Sequence, residues 1–359
     1  WHVHPQLDPT HFGFSSYHPA NPDHTRTIEK HPCPANPWPQ FPVGHADAHP
    51  LEETSTHQLA AACAEKIRHV GAADPWPIRL DFHEPHLPCL PAEPFASLYP
   101  PESIAPWPNF SETFHQKPYI QQQQLQNWGI EDWTWREWSI YLSGYFGMIS
   151  QVDDAIGRVL QALDDSGQRD DTLIIFTTDH GDAAGSHRMM DKHYVLYEEE
   201  VHVPLILNWP NHFPGGRECA DFTAHYLDLP VTLLDLLDLP VPDSYQGRSL
   251  LPQLKGQPAD NPWPFAFSSY HGQQFGLYSQ RMVRDLHYKY IWNATDVDEL
   301  YDLQKDPAEL HNLAVSPDFL PVLTSYRKKL HAHFESLGDP LMSGLWMRRW
   351  LNLDQPSTV

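Results

Sequence analysis

Apolar positions fall into a few strongly periodic stretches, separated by long polar or proline-rich ones. Over residues 133–165, Tyr145, Ile149, Val152, Ile156, Val159, Leu160 and Leu163 recur at spacings of three and four, which predicts a long helix stopped by Ser166-Gly167. A second helix is expected over 52–70, with Thr54 or Ser55 as its N-cap. Shorter helical spacing covers 227–237, closing at Pro240, and a further helix is expected over 320–337. Residues 171–178 form an apolar run too continuous for a half-exposed edge, so a buried strand is expected there, with another over 203–209. A short buried strand is also expected over 76–82, ending at His83. Aromatic-rich alternation over 279–292 and a short run at 299–303 predict antiparallel strands. Residues 1–50 and 87–130, rich in Pro, His, Asn and Gln, keep no period and are expected to be loop.

Helix, strand, loop, strand and helix in this order predict an α/β fold whose largely parallel sheet is sandwiched by helices. The change of texture near Asn261 predicts a smaller C-terminal α+β subdomain with an antiparallel sheet. We therefore divide the chain into a catalytic domain over 1–258 and a subdomain over 259–359. In such folds ligands sit at the carboxyl ends of the strands. The polar clusters after Phe82 and after Thr178 both fall at such ends.

Composition narrows the function. The chain has 359 residues and a formal net charge of −23, so it lacks the basic balance of a nucleic-acid binder. An anionic substrate stays compatible, because a metal ion and a few cations can reverse the potential in one cleft. The 36 prolines and 13 tryptophans suggest long loops over a rigid scaffold, and the loops at 4–50 and 87–135 are expected to form a substrate-facing wall. Cys33, Cys63, Cys89 and Cys219 are widely spaced and make no CxxC pair, which argues against a zinc knuckle or a dense disulfide framework. No apolar run is long enough to span a bilayer, so no membrane partner is expected. The start Trp-His-Val-His reads as that of a piece cut from a longer protein, and localisation and oligomeric state stay open.

Asp179-His180, on a glycine-assisted turn at a strand end, offers two ligands to one divalent cation; the bland alternative is a capping Asp beside a surface His. Lys192 could hold an oxygen of a sulfate or phosphate as a point charge, or be an ordinary solvated lysine. Glu198-Glu199-Glu200 reads as an exposed acidic turn. His86, just past the expected strand, could donate a proton to a leaving group, with His83 as close in sequence.

The strand-TTDHGD turn, the downstream Lys and the closing HVPLIL strongly resemble the sulfatases of the alkaline phosphatase superfamily. So do FHEPHLP, QVDDAIGRVLQAL, RMVRDLHYKYIW and ELYDLQKDPAELHNLA, which follow in the family's order across nearly the whole chain. The resemblance implies an alkaline phosphatase-like fold and hydrolysis of a sulfate monoester. It implies that Asp179 and His180 bind Ca²⁺, that Lys192 and His86 contact the sulfate, and that His86 protonates the leaving alcohol. His2 would match a His that follows a family Lys and would act as base. The family usually has Arg where this chain has His202, as some members resembling iduronate sulfatase also do. The CxPxR or SxPxR signature, whose Cys or Ser becomes formylglycine, is not found; Cys89-Leu-Pro-Ala-Glu93 has Glu in place of Arg, and Cys33 fails outright. The expectation is that the chain is truncated at Trp1, with the nucleophile and two metal-binding Asp lying upstream. The given fragment is then inactive, and its substrate in intact form is a small-molecule or sugar sulfate. A phosphodiesterase or phosphonate monoester hydrolase of the same superfamily, and an inert or purely binding protein, are the competing readings.

Overall fold

The computed structural model describes residues 6–19, 26–37, 42–70, 75–220, 222–258, 263–272, 276–342 and 355–357. Its elements in chain order are β1 (Thr27–Glu29), β2 (His45–Asp47), α1 (Ser55–His69), α2 (Tyr119–Trp128), α3 (Trp135–Asp165), β3 (Ile174–Thr177), α4 (Glu198–Val201), β4 (Leu205–Asn208), α5 (His225–Leu236), α6 (Leu251–Leu254), β5 (Ala266–Gly272), β6 (Tyr278–Arg284), β7 (Tyr288–Asn293), β8 (Glu299–Asp302) and α7 (Leu320–Ser336). The chain divides into two units, Trp1–Pro106 with Trp133–Thr172, and Trp107–Asp132 with Leu173–Val359.

In the first unit the two expected helices form and pack on each other. The Thr54 side chain accepts from the His57 amide at the start of α1, as expected of an N-cap. Leu59, Ala60, Cys63, Ala64 and Ile67 bury one face of that helix. The start of α3 is fixed by a capping box, in which Glu137 accepts from the Thr134 amide at 2.9 Å. A Cβ at Gly144 of α3 would come 2.7 Å from the Cys89 carbonyl oxygen, so the missing side chain lets the 89–91 segment lie directly on the helix. Part of the expected 1–50 loop is instead ordered by pairing: β1 and β2 form a short antiparallel ribbon.

The strand expected over 76–82 does not form a ladder; residues 75–83 carry no secondary structure, and Ile78 is exposed. Pro75 and Pro77 explain this, because each removes a donor that a central strand needs.

In the second unit β3 and β4 form where expected but pair antiparallel, with Phe176 opposite Ile206. The sheet was expected to be largely parallel as a whole, with no direction assigned to this pair, which among the described residues runs antiparallel. The physical reason is its connection, which holds loop and the four-residue α4 rather than the long helix of a parallel crossover. Both faces of this pair were also expected to be covered, yet Phe176 and Ile206 are 41% and 58% exposed. The C-terminal strands β5 to β8 make the expected antiparallel sheet, β5 being an addition to the strands read from sequence. Alternation sorts its two faces. Val283, Tyr290, Trp292 and Leu300 pack against Leu323, Tyr326, Leu330 and Phe334 of α7. Lys289, Glu299 and Tyr301 point the other way into a buried polar network. There Gln121 of α2 donates to Glu299 at 2.9 Å, and the Tyr301 hydroxyl donates to the same carboxylate at 2.6 Å. Residues 107–130, expected to be loop, thus include α2 and bury Glu112, Lys117, Gln121 and Gln124.

Candidate active site

The apolar strand β3 ends at Thr177, and the turn that follows carries Asp179 and His180. Gly181 is what allows this turn: a Cβ there would lie 1.7 Å from the Glu199 carbonyl oxygen. In its absence the Gly181 amide donates to the Glu200 carbonyl at 3.0 Å, tying the turn to α4.

Asp179 holds its carboxylate 77% exposed, with one oxygen accepting from the His180 amide at 3.1 Å. His180 Nδ1 lies 2.7 Å from the Gly181 carbonyl oxygen, an acceptor only, so Nδ1 carries the proton. In the neutral ring Nε2 then presents its lone pair, 3.6 Å from Asp179 Oδ2. A carboxylate oxygen and an imidazole lone pair side by side suit a divalent cation. They are two donors only; among the described residues no cluster of three or more His, Cys, Asp or Glu is placed to hold a metal ion.

Lys192 is not a solvated lysine. Its side chain is 22% exposed, and Nζ lies 3.2 Å from Asp191 Oδ1. His193 Nε2 approaches the other oxygen of Asp191 at 3.5 Å. Burial pushes the Asp191 carboxyl up, but the His193 bond and the Lys192 charge outweigh it and hold the group below the usual range. Sequence reasoning missed the surrounding carboxyls. Burial, followed by the neighbouring Asp191 charge, pushes Asp182 up to about 7 despite the bond it accepts from the Ala184 amide. Burial, with Asp182 and Asp191 next, raises Glu200 well above the ordinary carboxyl range. The signal was present in part, since Asp182 closes the DHGD motif and Asp191 directly precedes Lys192.

The acidic run at 198–200 is not the exposed turn expected. Glu198 bonds Lys289 at 2.7 Å and also pairs with Arg284, Glu199 accepts from Asn109 at 2.8 Å, and Glu200 is buried.

Asp179, His180 and Lys192 therefore share the second unit, whereas His86 belongs to the first. His86 Nδ1 donates to the Leu87 carbonyl at 2.8 Å, and its ring lies 4.8 Å from that of His83, tilted by 48°. Its Nε2 can then carry a transferable proton only as the imidazolium. His2 lies outside the described residues. No helix among the described residues is long and apolar enough to cross a membrane.

Comparison with known proteins places these motifs. The sulfatase family model matches residues 8–239, and a model for the C-terminal part of N-sulphoglucosamine sulphohydrolase matches 185–336. A Δ4,5-hexuronate-2-O-sulfatase of Bacteroides thetaiotaomicron is 33% identical over 202 residues, 55% of this chain and 42% of that protein. The multifunctional alkaline phosphatase superfamily protein PehA of Trinickia caryophylli is 29% identical over 282 residues, 71% of this chain and 54% of that one. This chain thus spans about half the length of these relatives. Among solved structures, the phosphonate monoester hydrolase of Agrobacterium radiobacter aligns with a TM-score of 0.69 at 29% identity, covering 85% of this chain and 62% of that one. That likeness bears out the alkaline phosphatase-like α/β class with its C-terminal antiparallel sheet. Because the first family model spans more than half of the chain and takes in His86, Asp179, His180 and Lys192, the chain belongs to the sulfatase family of the alkaline phosphatase superfamily.

Proposed function

We propose that the intact protein hydrolyses a sulfate monoester, using a Ca²⁺ ion held in part by Asp179 and His180. The observation that carries this reading is the clamped, half-buried Lys192 in the same unit as the Asp179–His180 donor pair, within the sulfatase match. The donor pair fits a hard cation: one carboxylate is open to solvent, and the imidazole tautomer is fixed by its own carbonyl bond. Such a cation, when bound, neutralises charge on the sulfuryl oxygens. Lys192 supplies a fixed positive charge to the same oxygens, and Asp191 keeps its ammonium from sweeping through solvent. His86 is the proposed general acid; its bond to Leu87 aims Nε2, which as imidazolium gives its proton to the departing alcohol. His2 is the proposed base, assigned by position in the motif alone.

The nucleophile of this reading is a formylglycine supplied by a segment other than residues 1–359, and the fragment alone is then inactive. Cys89 speaks against an internal substitute, being buried beside α3 with Glu93 where the maturation signature needs Arg. Sugar sulfates are the favoured substrate class, by analogy with the Δ4,5-hexuronate-2-O-sulfatase relative. In this reading the catalytic domain covers residues 1–258 and a smaller subdomain covers 259–359. A phosphonate monoester hydrolase is the second reading, favoured by the likeness to the Agrobacterium enzyme.

The test is turnover of an aryl sulfate by the protein as its gene encodes it. Asp179→Ala and Lys192→Ala should each lower kcat/KM by at least about a hundredfold, the scale of losing one preorganised charge partner, while the folded state persists by circular dichroism. Unchanged turnover in either variant rejects the assignment of that residue.

A further inference from the structure

The segment that presents Lys192 has an unusual backbone. Ala184, His187, Arg188, Asp191 and Tyr194 all have positive φ, at 41°, 49°, 60°, 65° and 65°. Side chains with a Cβ disfavour this region, and such residues persist only where the surroundings over-determine them. Five within eleven positions need an external hold.

The hold is visible at His187. Its ring is buried and lies flat on Tyr197, with centroids 4.0 Å apart and planes 7° from parallel. Its Nδ1 donates to Glu112 Oε2 at 2.8 Å, and among the described residues Nε2 has no hydrogen-bond partner. Glu112 is itself anchored: its other oxygen accepts from the amides of Thr113 and Phe114 at 2.8 and 2.7 Å, and Lys117 Nζ stands 3.2 Å away. Burial pushes this carboxyl up, but the His187 bond and the Lys117 charge outweigh it and bring it to about 2. It is therefore an ionised acceptor at neutral pH. From His187 the constraint runs through short backbone bonds. The Gly185 amide donates to Met189 O at 2.9 Å, and the Ala183 amide donates to Asp191 O at 2.9 Å. Asp191 in turn grips Lys192.

We infer that the buried Glu112–His187 pair is the latch that fixes the left-handed loop 184–194 and thereby positions Lys192. Glu112 and His187 are positioning residues; neither is assigned contact with substrate. The kinetic part of this inference rests on the proposed role of Lys192, and the structural part does not.

The experiment uses Glu112→Gln in the protein as its gene encodes it, which keeps the side-chain shape and removes the charge. Two readouts are taken: the rate at which a water-soluble amine-reactive ester acylates Lys192, by peptide mapping relative to the 79% exposed Lys305, and kcat and KM for an aryl sulfate. The latch predicts that Lys192 acylation rises about fivefold or more relative to Lys305, while kcat/KM falls by roughly ten- to a hundredfold, the cost of misplacing a binding group by about 1 Å. Glu112→Asp, which keeps the charge, should recover part of both. Faster acylation with unchanged turnover upholds the latch and rejects the substrate role of Lys192. Unchanged Lys192 acylation in the folded variant overturns the latch, whatever happens to turnover. If Glu112→Gln does not fold, His187→Gln is read by the same two measures, since it leaves Glu112, its amide bonds and Lys117 in place.

Discussion

Replacing Gly181 by Ala tests whether the Asp179–His180 turn is held by direct backbone contact with α4. The new Cβ would lie 1.7 Å from the Glu199 carbonyl oxygen, 2.7 Å from its carbon and 3.0 Å from Glu200 Cα. These are main-chain atoms, so no rotamer change relieves the clash. Separation to the ~3.5 Å of ordinary contact requires the turn and α4 to part by well over an ångström. That movement breaks the bond from the Gly181 amide to the Glu200 carbonyl. Overpacking of this kind costs about 1–3 kcal/mol, and a lost backbone hydrogen bond about 1 kcal/mol more. A local loss of about 3 kcal/mol corresponds to roughly a hundredfold faster amide exchange by local opening. Native-state hydrogen exchange on peptides covering 177–185 measures this directly. Gly157→Ala is the control, because nothing lies within 4 Å of its added Cβ on α3; it should be neutral or stabilise by about 0.5–1 kcal/mol. Exchange of the 177–185 peptides within about threefold of wild type in Gly181→Ala would refute the packing argument.

Two further outcomes follow from the charge arrangement. Glu112 titrates at about 2 when folded, below its ordinary 4.5. A depressed carboxyl stabilises the fold above the unfolded value, and that contribution is lost as pH falls from 4.5 through about 2. The shift is worth about 3 kcal/mol, so wild type should lose about that much more than Glu112→Gln across this window, read from urea midpoints at each pH; parallel profiles would contradict it. Residues 1–359 alone should bind Ca²⁺ only weakly, since Asp179 and His180 are two donors where six or more oxygens are usual. Tight one-to-one binding by titration calorimetry would show that the cation site is completed within this chain.

What the sequence revealed and concealed has a common physical basis. The helices α1 and α3 were legible because their apolar stripes repeat and their ends carry capping residues such as Thr54. Helix α2 was not, because Gln121 and Gln124 are buried beside Ile120 and Leu125, and hydrophobic periodicity cannot register a helix that buries glutamines in a polar network. The stretch at 76–82 resembled a strand by its apolar positions, but Pro75 and Pro77 each lack the donor that a ladder needs, which periodicity does not register. Within the candidate site, Asp179, His180 and Lys192 could be proposed from sequence because each sits in a local motif. The Glu112–His187 contact joins residues 75 positions apart, and the carboxyls that crowd Lys192 gain their character from burial. Neither property is written in local spacing.

The central claim, that this site cleaves sulfate esters, is tested most directly by a ratio of specificity constants. The protein as its gene encodes it would be assayed in Ca²⁺ with an aryl sulfate, an aryl phosphonate monoester and an aryl phosphodiester sharing one leaving group. The account predicts that kcat/KM for the sulfate exceeds both others by at least about a hundredfold, close to 3 kcal/mol of transition-state preference. A kcat/KM for the phosphonate or the diester equal to or above that for the sulfate would contradict it and favour the phosphonate monoester hydrolase reading.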